Sequence, residues 1–487
     1  MNTKHTRRTF LQTAVAGAGA LAASRVFGAP AIQTTPSPSS QLRVAVIGCG
    51  GRGVSAHVGP AAGERLVALV DADDNGIAKA LKKAGAKSGI RTFTDYRRMF
   101  DALGKDLDAV MIATPNHHHA LPALMAMQRG IHVYVEKPMA YTIAEARLLA
   151  ATAQRFKVAT QMGNQGHSGE HYRRLCEYIW AGAIGNVTEV HHWCNRSNGG
   201  VGPRPAPMPA PKGLHWDEWI GPAPFREYHP DSVKTEKGKT KINPLHPHEW
   251  HNWHEFGNGS LGNMACHVMD GAFWALKIEH PTSIEVEEMA GGSDERYPTG
   301  TRIRWDVPAR GAMPPVKIYW WDGKRAGMQH AGTDAEDTED SVAKEARNRP
   351  PLVAKLEKEY GRDFGGNGTF YIGDKGIMYT GCYGEGVRII PEEKHKAFPM
   401  PAATIPRIKG SHQGDFFRAC KGGPAACAAF DYSARLTEFA LLGCLAIKAG
   451  LGKKLEWDGP NMRCTNLPDV NRFLARVNRT GWESGLT

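Results

Sequence analysis

The chain has 487 residues, with 60 Lys and Arg against 49 Asp and Glu, for a formal net charge of +11. Four of the basic residues (Lys4, Arg7, Arg8, Arg25) and no acidic ones fall in the first 31 positions, leaving +7 on the rest. That excess is mild and evenly spread, which excludes nucleic acid as an expected partner, and nine scattered cysteines with no Cys-x-x-Cys pair exclude a disulfide framework or zinc cluster, so no metal is expected.

Thr6–Arg7–Arg8–Thr9–Phe10–Leu11 is a twin-arginine pattern ahead of a small, apolar stretch from Thr13 to Ala23. That stretch is about half of the ~20 residues a bilayer span needs, so residues 1–31 read as a signal peptide and not a stable membrane anchor. Residues 32–41, rich in Ser, Thr and Pro, read as a linker. The mature protein is expected in the periplasm, or otherwise exported through the twin-arginine pathway. That route carries folded proteins, so any cofactor must be gained before export and then held tightly.

From Leu42 onward short apolar runs alternate with helical patterns, the mark of a doubly wound parallel sheet; residues 42–184 are assigned to this α/β domain. The first expected strand, 43–47, empties into Gly48-Cys49-Gly50-Gly51-Arg52-Gly53, and Asp71 follows a second apolar run at 66–70. Strand, Gly-x-Gly-x-x-Gly, helix, strand and acid in that order form a dinucleotide fingerprint. Gly48 permits the tight turn, Gly50 lets backbone approach a diphosphate, and Gly53 lets the helix lie on the sheet. The helix start offers free N–H groups to phosphate, and Asp71 suits ribose hydroxyls, favouring NAD over NADP. Further strands are expected at 109–113, 132–135 and 158–162, with helices at 54–62, 76–84, 96–102, 118–129 and 143–156.

After residue 184 the pattern changes. Residues 185–460 read as an α+β domain with a large open, mostly antiparallel sheet, interrupted near 195–259 and 323–362; residues 461–487 close the chain. The segment 323–362 is charged and irregular and is expected to be a solvated insertion.

Candidate chemistry sits at strand ends, where an open α/β sheet forms its ligand crevice. Thr114, Pro115, Asn116 and His119 follow one strand; Glu136 and Lys137 follow the next. A lysine there can hold a hydroxyl or alkoxide as a fixed cation. Asn164, Gln165 and His167 follow the last strand of the domain. Further on, Asn263, His267 and Asp270 recur at helical spacing, so a shared face would give His267 a carboxylate orienter for general-base work. Seven of the twelve tryptophans lie between positions 180 and 274, and Trp250 and Trp253 precede the His267 helix as a candidate sugar-stacking wall. In the same run, His251 and His254 offer an alternative metal-ligand spacing.

The glycine loop, Thr114–Pro115–Asn116, Glu136–Lys137–Pro138 and the Asn263/His267/Asp270 helix resemble the glucose–fructose oxidoreductase and inositol dehydrogenase (Gfo/Idh/MocA) family from Leu42 to the end. The resemblance implies a Rossmann domain followed by an open-faced α+β domain, with NAD between them and a carbohydrate substrate. It implies that Lys137 holds the reacting hydroxyl, that His267 moves its proton, and that the chain assembles as a dimer or tetramer. One departure stands out: the family usually carries Asp where this chain has Asn263. The implied activity is NAD-dependent oxidation or reduction of a sugar, cyclitol or glycoside. Redox-assisted glycoside cleavage is the alternative, although glycosidases resembling this family tend to lack the lysine of Glu136–Lys137–Pro138. A cofactor-loaded, non-catalytic sugar-binding protein is the third reading.

Overall fold

The computed structural model describes residues 40–85, 88–236, 238–333, 335–338, 346–483 and 485; the expected signal peptide and most of the linker lie outside them. The first sheet contains β1 (Arg43–Ile47), β2 (Arg65–Val70), β3 (Arg91–Phe93), β4 (Ala109–Ile112), β5 (His132–Val135) and β6 (Thr160–Met162). Their order is β3-β2-β1-β4-β5-β6, and every pairing is parallel. Chain order therefore reverses direction between β1 and β4, the point where such sheets open a ligand crevice. β1 and β4 are apolar and buried because helices cover both faces. β3, only three residues long and at the edge, is the one strand of this sheet without an expected counterpart.

Local chemistry sets the helix starts. Asp73 and Asp95 accept the first free N–H groups of the 74–83 and 96–103 helices, and Thr142 with Glu145 forms a reciprocal capping box.

The second sheet has eleven strands. Its main path runs β14 (Glu336–Asp337), β13 (Met328–His330), β10 (Ser283–Ala290), β11 (Gly300–Val307), β12 (Val316–Gly323), β7 (Val187–Cys194), β15 (Asn367–Gly373), β16 (Gly376–Gly381), β17 (Arg388–Ile390); off it, β18 (Leu455–Asp458) pairs with β10 and β19 (Arg463–Cys464), while β8 (Ser232–Glu236) and β9 (Lys239–Asn243) form a separate hairpin. Neighbours are antiparallel except β12 and β7, which run parallel. The Phe430–Ala449 helix joins the domains, lying against both Ile143–Phe156 and Gly259–Val268. One apolar core consequently runs from Ile47 and Val110 through to Trp305 and Phe439.

Two expectations change. The 323–362 segment is not simply solvated: it adds β13 and β14, and its Pro351–Tyr360 helix buries Val353 and Leu356 against Trp193, Trp321 and Phe370. The helix His412–Cys420, assigned by sequence to the second domain, buries Phe416 and Phe417 against Val44 and Val46 of the first sheet. The nine cysteines are all free, and Cys49 and Cys266 are buried.

Candidate active site

A cavity of about 950 Å³ opens at the β1/β4 switch point and runs from the glycine loop to the Gly259–Val268 helix. Gly48 adopts φ of +76°, and a Cβ there would lie 2.6 Å from Ala113 C and Thr114 N, so the first turn admits only glycine. A Cβ on Gly53 would meet Gly48 O at 2.2 Å, whereas one on Gly51 would meet nothing within 4 Å. Beyond the loop comes a single π-helical turn, Gly53–His57. It turns His57, a residue without a sequence signal, into the domain.

There His57 Nε2 reaches Glu136 Oε1 at 2.9 Å, and Arg52 Nε donates to the same oxygen at 3.1 Å. Burial alone would raise the Glu136 pKa, but the His57 hydrogen bond and the charges of His57, Arg52 and Lys137 hold it well below the carboxylate range. Gly163 makes room: a Cβ there would sit 2.6 Å from Glu136 Cδ. Asp71, at the end of β2, accepts from the N–H groups of Gly50 (2.7 Å) and Asp73 (3.0 Å) and lines the cavity. Burial pushes its carboxyl up.

Lys137 Nζ donates to Asn263 O at 2.7 Å and to Asn263 Oδ1 at 3.0 Å. Asn263 Nδ2 in turn donates to Asn198 Oδ1 at 3.0 Å, so this amide bridges the lysine to the second domain. Burial lowers the Lys137 pKa, opposed chiefly by Glu136. His267 lines the same cavity; burial first, then the Lys137 charge, lowers its pKa well below the free value. Its imidazole is therefore neutral near pH 7 and able to accept a proton. Its ring meets Tyr383 edge-on at 5.0 Å, and its carbonyl accepts from Tyr172.

Asp270 does not orient His267. Asp270 opens the next helical segment after Met269, and its carboxylate is taken up by other elements. Asp270 accepts instead from Tyr432 (2.6 Å), His167 Nδ1 (3.0 Å) and Asn164 (3.1 Å), and none of Asp270, Asn164 or His167 lines the cavity. His167 stacks on Trp274 with ring centroids 4.3 Å apart. Of the expected trio, only Gln165 faces the cavity.

His119 lines the cavity, but both ring nitrogens lie against carbonyls, Pro138 O at 2.7 Å and Thr114 O at 2.9 Å. It staples the two strand-end loops together and does not present a free nitrogen. Trp253 is fully buried away from the cavity: its Nε1 donates to Asp231 at 2.8 Å, and Arg204 and Arg296 flank the ring. Trp250 does reach the cavity, its ring tilted 31° against His251 with centroids 3.6 Å apart. His254 packs on Tyr297 instead, and among the described residues no three His, Cys, Asp or Glu side chains gather into a metal-binding group.

The 195–259 insertion covers the end of the cavity beside Asp71. His215 N donates to Ala72 O and Asp74 N to Gly213 O, at 2.8 and 2.9 Å. Trp219 Nε1 donates to His246 Nδ1, and His246 Nε2 donates to Asp73 Oδ2, each at 3.1 Å. Under this cover Trp219, Leu245, Trp250 and Phe256 form a separate apolar cluster that includes Ala72 of the first domain. His118 Nε2 contacts Trp219 O at 2.8 Å, so the histidine run after β4 anchors the cover.

Five buried polar atoms on cavity-lining residues have no hydrogen-bond partner: Thr114 Oγ1, Asn116 Oδ1, Gln165 Oε1, His251 Nδ1 and His267 Nδ1. Buried polar atoms are nearly always satisfied, so this set fits a polar molecule seated in the cavity. Together with the glycine turn, Asp71 and Pro115, it suits a dinucleotide laid across the switch point. Fold and site thus define the class: a dinucleotide-binding Rossmann domain joined to an open-sheet α+β domain.

Residues 42–164 match the Gfo/Idh/MocA family, described as "Oxidoreductase family, NAD-binding Rossmann fold". That match spans the first domain, about a quarter of the chain, and is a similarity of that domain. It is 33% identical to the rhizopine catabolism protein MocA of Rhizobium meliloti over 148 residues, 30% of this chain and 45% of that protein. It is 30% identical to an alpha-N-acetylgalactosaminidase of Shewanella oneidensis over 204 residues, 37% of this chain and 44% of that one. The chain thus matches less than half the length of these relatives. Among solved structures, the aldose-aldose oxidoreductase of Caulobacter crescentus superposes with a TM-score of 0.52 at 16% identity, covering 86% of this chain and 100% of that one. The WlbA dehydrogenase of Bordetella pertussis, solved with NADH and UDP-GlcNAcA, gives 0.52 at 16%, covering 86% and 99%. Both share the two-domain fold.

Proposed function

We propose that this chain is an NAD-dependent oxidoreductase acting on a hydroxyl-bearing carbon of a carbohydrate. The observation that carries the reading is a buried lysine and a neutral histidine lining one cavity that is continuous with the dinucleotide loop. The nicotinamide, when bound, supplies the hydride acceptor or donor. Lys137, held by Asn263, donates hydrogen bonds to the reacting oxygen and stabilises negative charge on it. His267 takes the hydroxyl proton on its neutral imidazole, and returns it in the reverse direction. The cover built from 195–259 excludes water from the adenosine side and slows nucleotide release, which would suit an exported enzyme. Export itself rests on the Arg7–Arg8 leader pattern. Assembly of copies as a dimer or tetramer is carried over from the family resemblance alone.

The test has two parts. Denaturing the purified protein should release NAD, and a sugar screen should reduce that bound NAD in the native enzyme but not in Lys137→Ala. Recovery of no nucleotide, or equal turnover by the variant, overturns the proposal. A second reading, glycoside cleavage through transient oxidation, is favoured by the glycosidase relatives. It predicts aglycone release without net NADH. Sugar binding that perturbs the bound nucleotide without any turnover would leave a binding protein.

A further inference from the structure

The substrate end of the cavity carries more positive charge than the proposed reaction uses. Arg196 follows β7 on the second-domain wall, exposed at the cavity, and its guanidinium has no hydrogen bond or ion pair among the described residues. His251 also lines the cavity and is 7% exposed, with no partner on Nδ1. Lys137 is the next cation. Burial, then Lys137, His248, His119 and Arg196 push the His251 pKa well down, so its neutral ring adds a hydrogen-bonding group to the site and no charge of its own.

Glu136 partly balances Lys137, but among the described residues no cavity-lining carboxylate pairs with Arg196. Glu136 is committed to His57 and Arg52. Asp71 and Asp73 are held at the adenosine end by backbone N–H groups and His246, and Glu218 lies there on the covering insertion beside Trp219. The glycine loop with Arg52 serves the diphosphate from the first domain, whereas Arg196 reaches in from the second. A cation without a counter-ion in a partly enclosed site favours an anion, and a guanidinium favours one with paired oxygens.

We infer that the substrate is an anionic sugar, whose carboxylate or phosphate is received by Arg196 with His251 beside it. This rests on the oxidoreductase reading for the reaction, but not for the binding. Arg196 is here a specificity-determining residue; it takes no part in proton or hydride movement.

The experiment uses the full chain as purified with its nucleotide. D-glucuronate and D-galacturonate form one arm, D-glucose 6-phosphate the other, each set against D-glucose or D-galactose. Binding is read by quenching of tryptophan fluorescence, since the Trp250 ring lies against His251, and turnover by reduction of the bound nucleotide. At least one arm should bind about 10- to 100-fold tighter than its neutral parent, as hydrogen bonds to charged groups allow. Arg196→Gln should erase that ratio by raising KM with kcat nearly unchanged, and the arm with the larger ratio identifies the anion. Equal binding of charged and neutral sugars overturns the inference. So does an Arg196→Gln variant that weakens nucleotide and all sugars alike, which would assign Arg196 to the cofactor. Arg196-dependent binding of an anionic sugar without nucleotide reduction sustains this inference and removes the oxidoreductase reading. Turnover of neutral sugars insensitive to Arg196→Gln does the reverse.

Discussion

If the 195–259 cover retains the nucleotide, its two histidine latches should differ sharply in weight. His246 and Asp73 are 20% and 19% exposed at the side chain, and His246 also accepts the Trp219 indole N–H. His215 and Asp74 are 38% and 59% exposed. A solvent-exposed pair contributes about 0–1 kcal/mol. Replacing His246 by Ala removes a half-buried contact to a carboxylate and leaves the Trp219 N–H without its acceptor, together about 2–4 kcal/mol. Nucleotide release requires the cover to open, so the open population, and with it the release rate, rises in proportion. At 1.4 kcal/mol per decade this predicts about 30- to 1,000-fold faster release for His246→Ala, and less than about fivefold for His215→Ala. The assay loads the protein with NAD, adds excess scavenging dehydrogenase and follows transfer of the nucleotide over time, with melting curves to confirm folding. Equal release by both variants, or wild-type retention by His246→Ala, would refute the latch.

Three further outcomes follow from the geometry. Asp270→Asn should cost about 3–5 kcal/mol in urea denaturation, because it breaks a buried cluster with His167 and Tyr432, while leaving the pH profile of turnover in place; a kcat collapse with full stability would restore Asp270 as orienter of His267. Gly48→Ala should abolish nucleotide binding or folding, whereas Gly51→Ala should be tolerated, since its Cβ meets open space; equal effects in nucleotide content would contradict the loop geometry. Stability should be level between about pH 7 and 8 and fall from about pH 6.5 towards 4. Burial holds His412 at about 4 and His118 at about 3, with His117, His119, His251 and His267 also depressed. The unfolded chain, with histidines near 6.5, takes up protons first, and His412 alone removes about 3 kcal/mol over that range. A melting temperature unchanged between pH 7 and 4.5 would refute this.

The residues that were legible early are those whose role is local. Gly48 and Gly53 are fixed by a turn and a helix within ten residues of each other, and Thr142–Glu145 caps its own helix. The second-domain strands announced themselves through alternating burial, as in β10 and β11. His57 gave no signal because a π-helical turn, not a regular helical period, directs it to Glu136, which is 79 positions away. Asp270 misled because spacing along one helix does not say which partners arrive from elsewhere: Asn164, His167 and Tyr432 take its carboxylate.

Local order along the chain was enough to mark a dinucleotide turn, an acid after β2, and Lys137 and His267 as candidates for the site. Which of these meet was decided by tertiary packing: Lys137 finds Asn263 across 126 positions, and His246 finds Asp73 across 173. The physical reason is that periodicity encodes only which face of an element is apolar. The direction of a polar side chain depends on partners that arrive from other elements, and on whether those partners leave any hydrogen-bonding capacity over for a ligand.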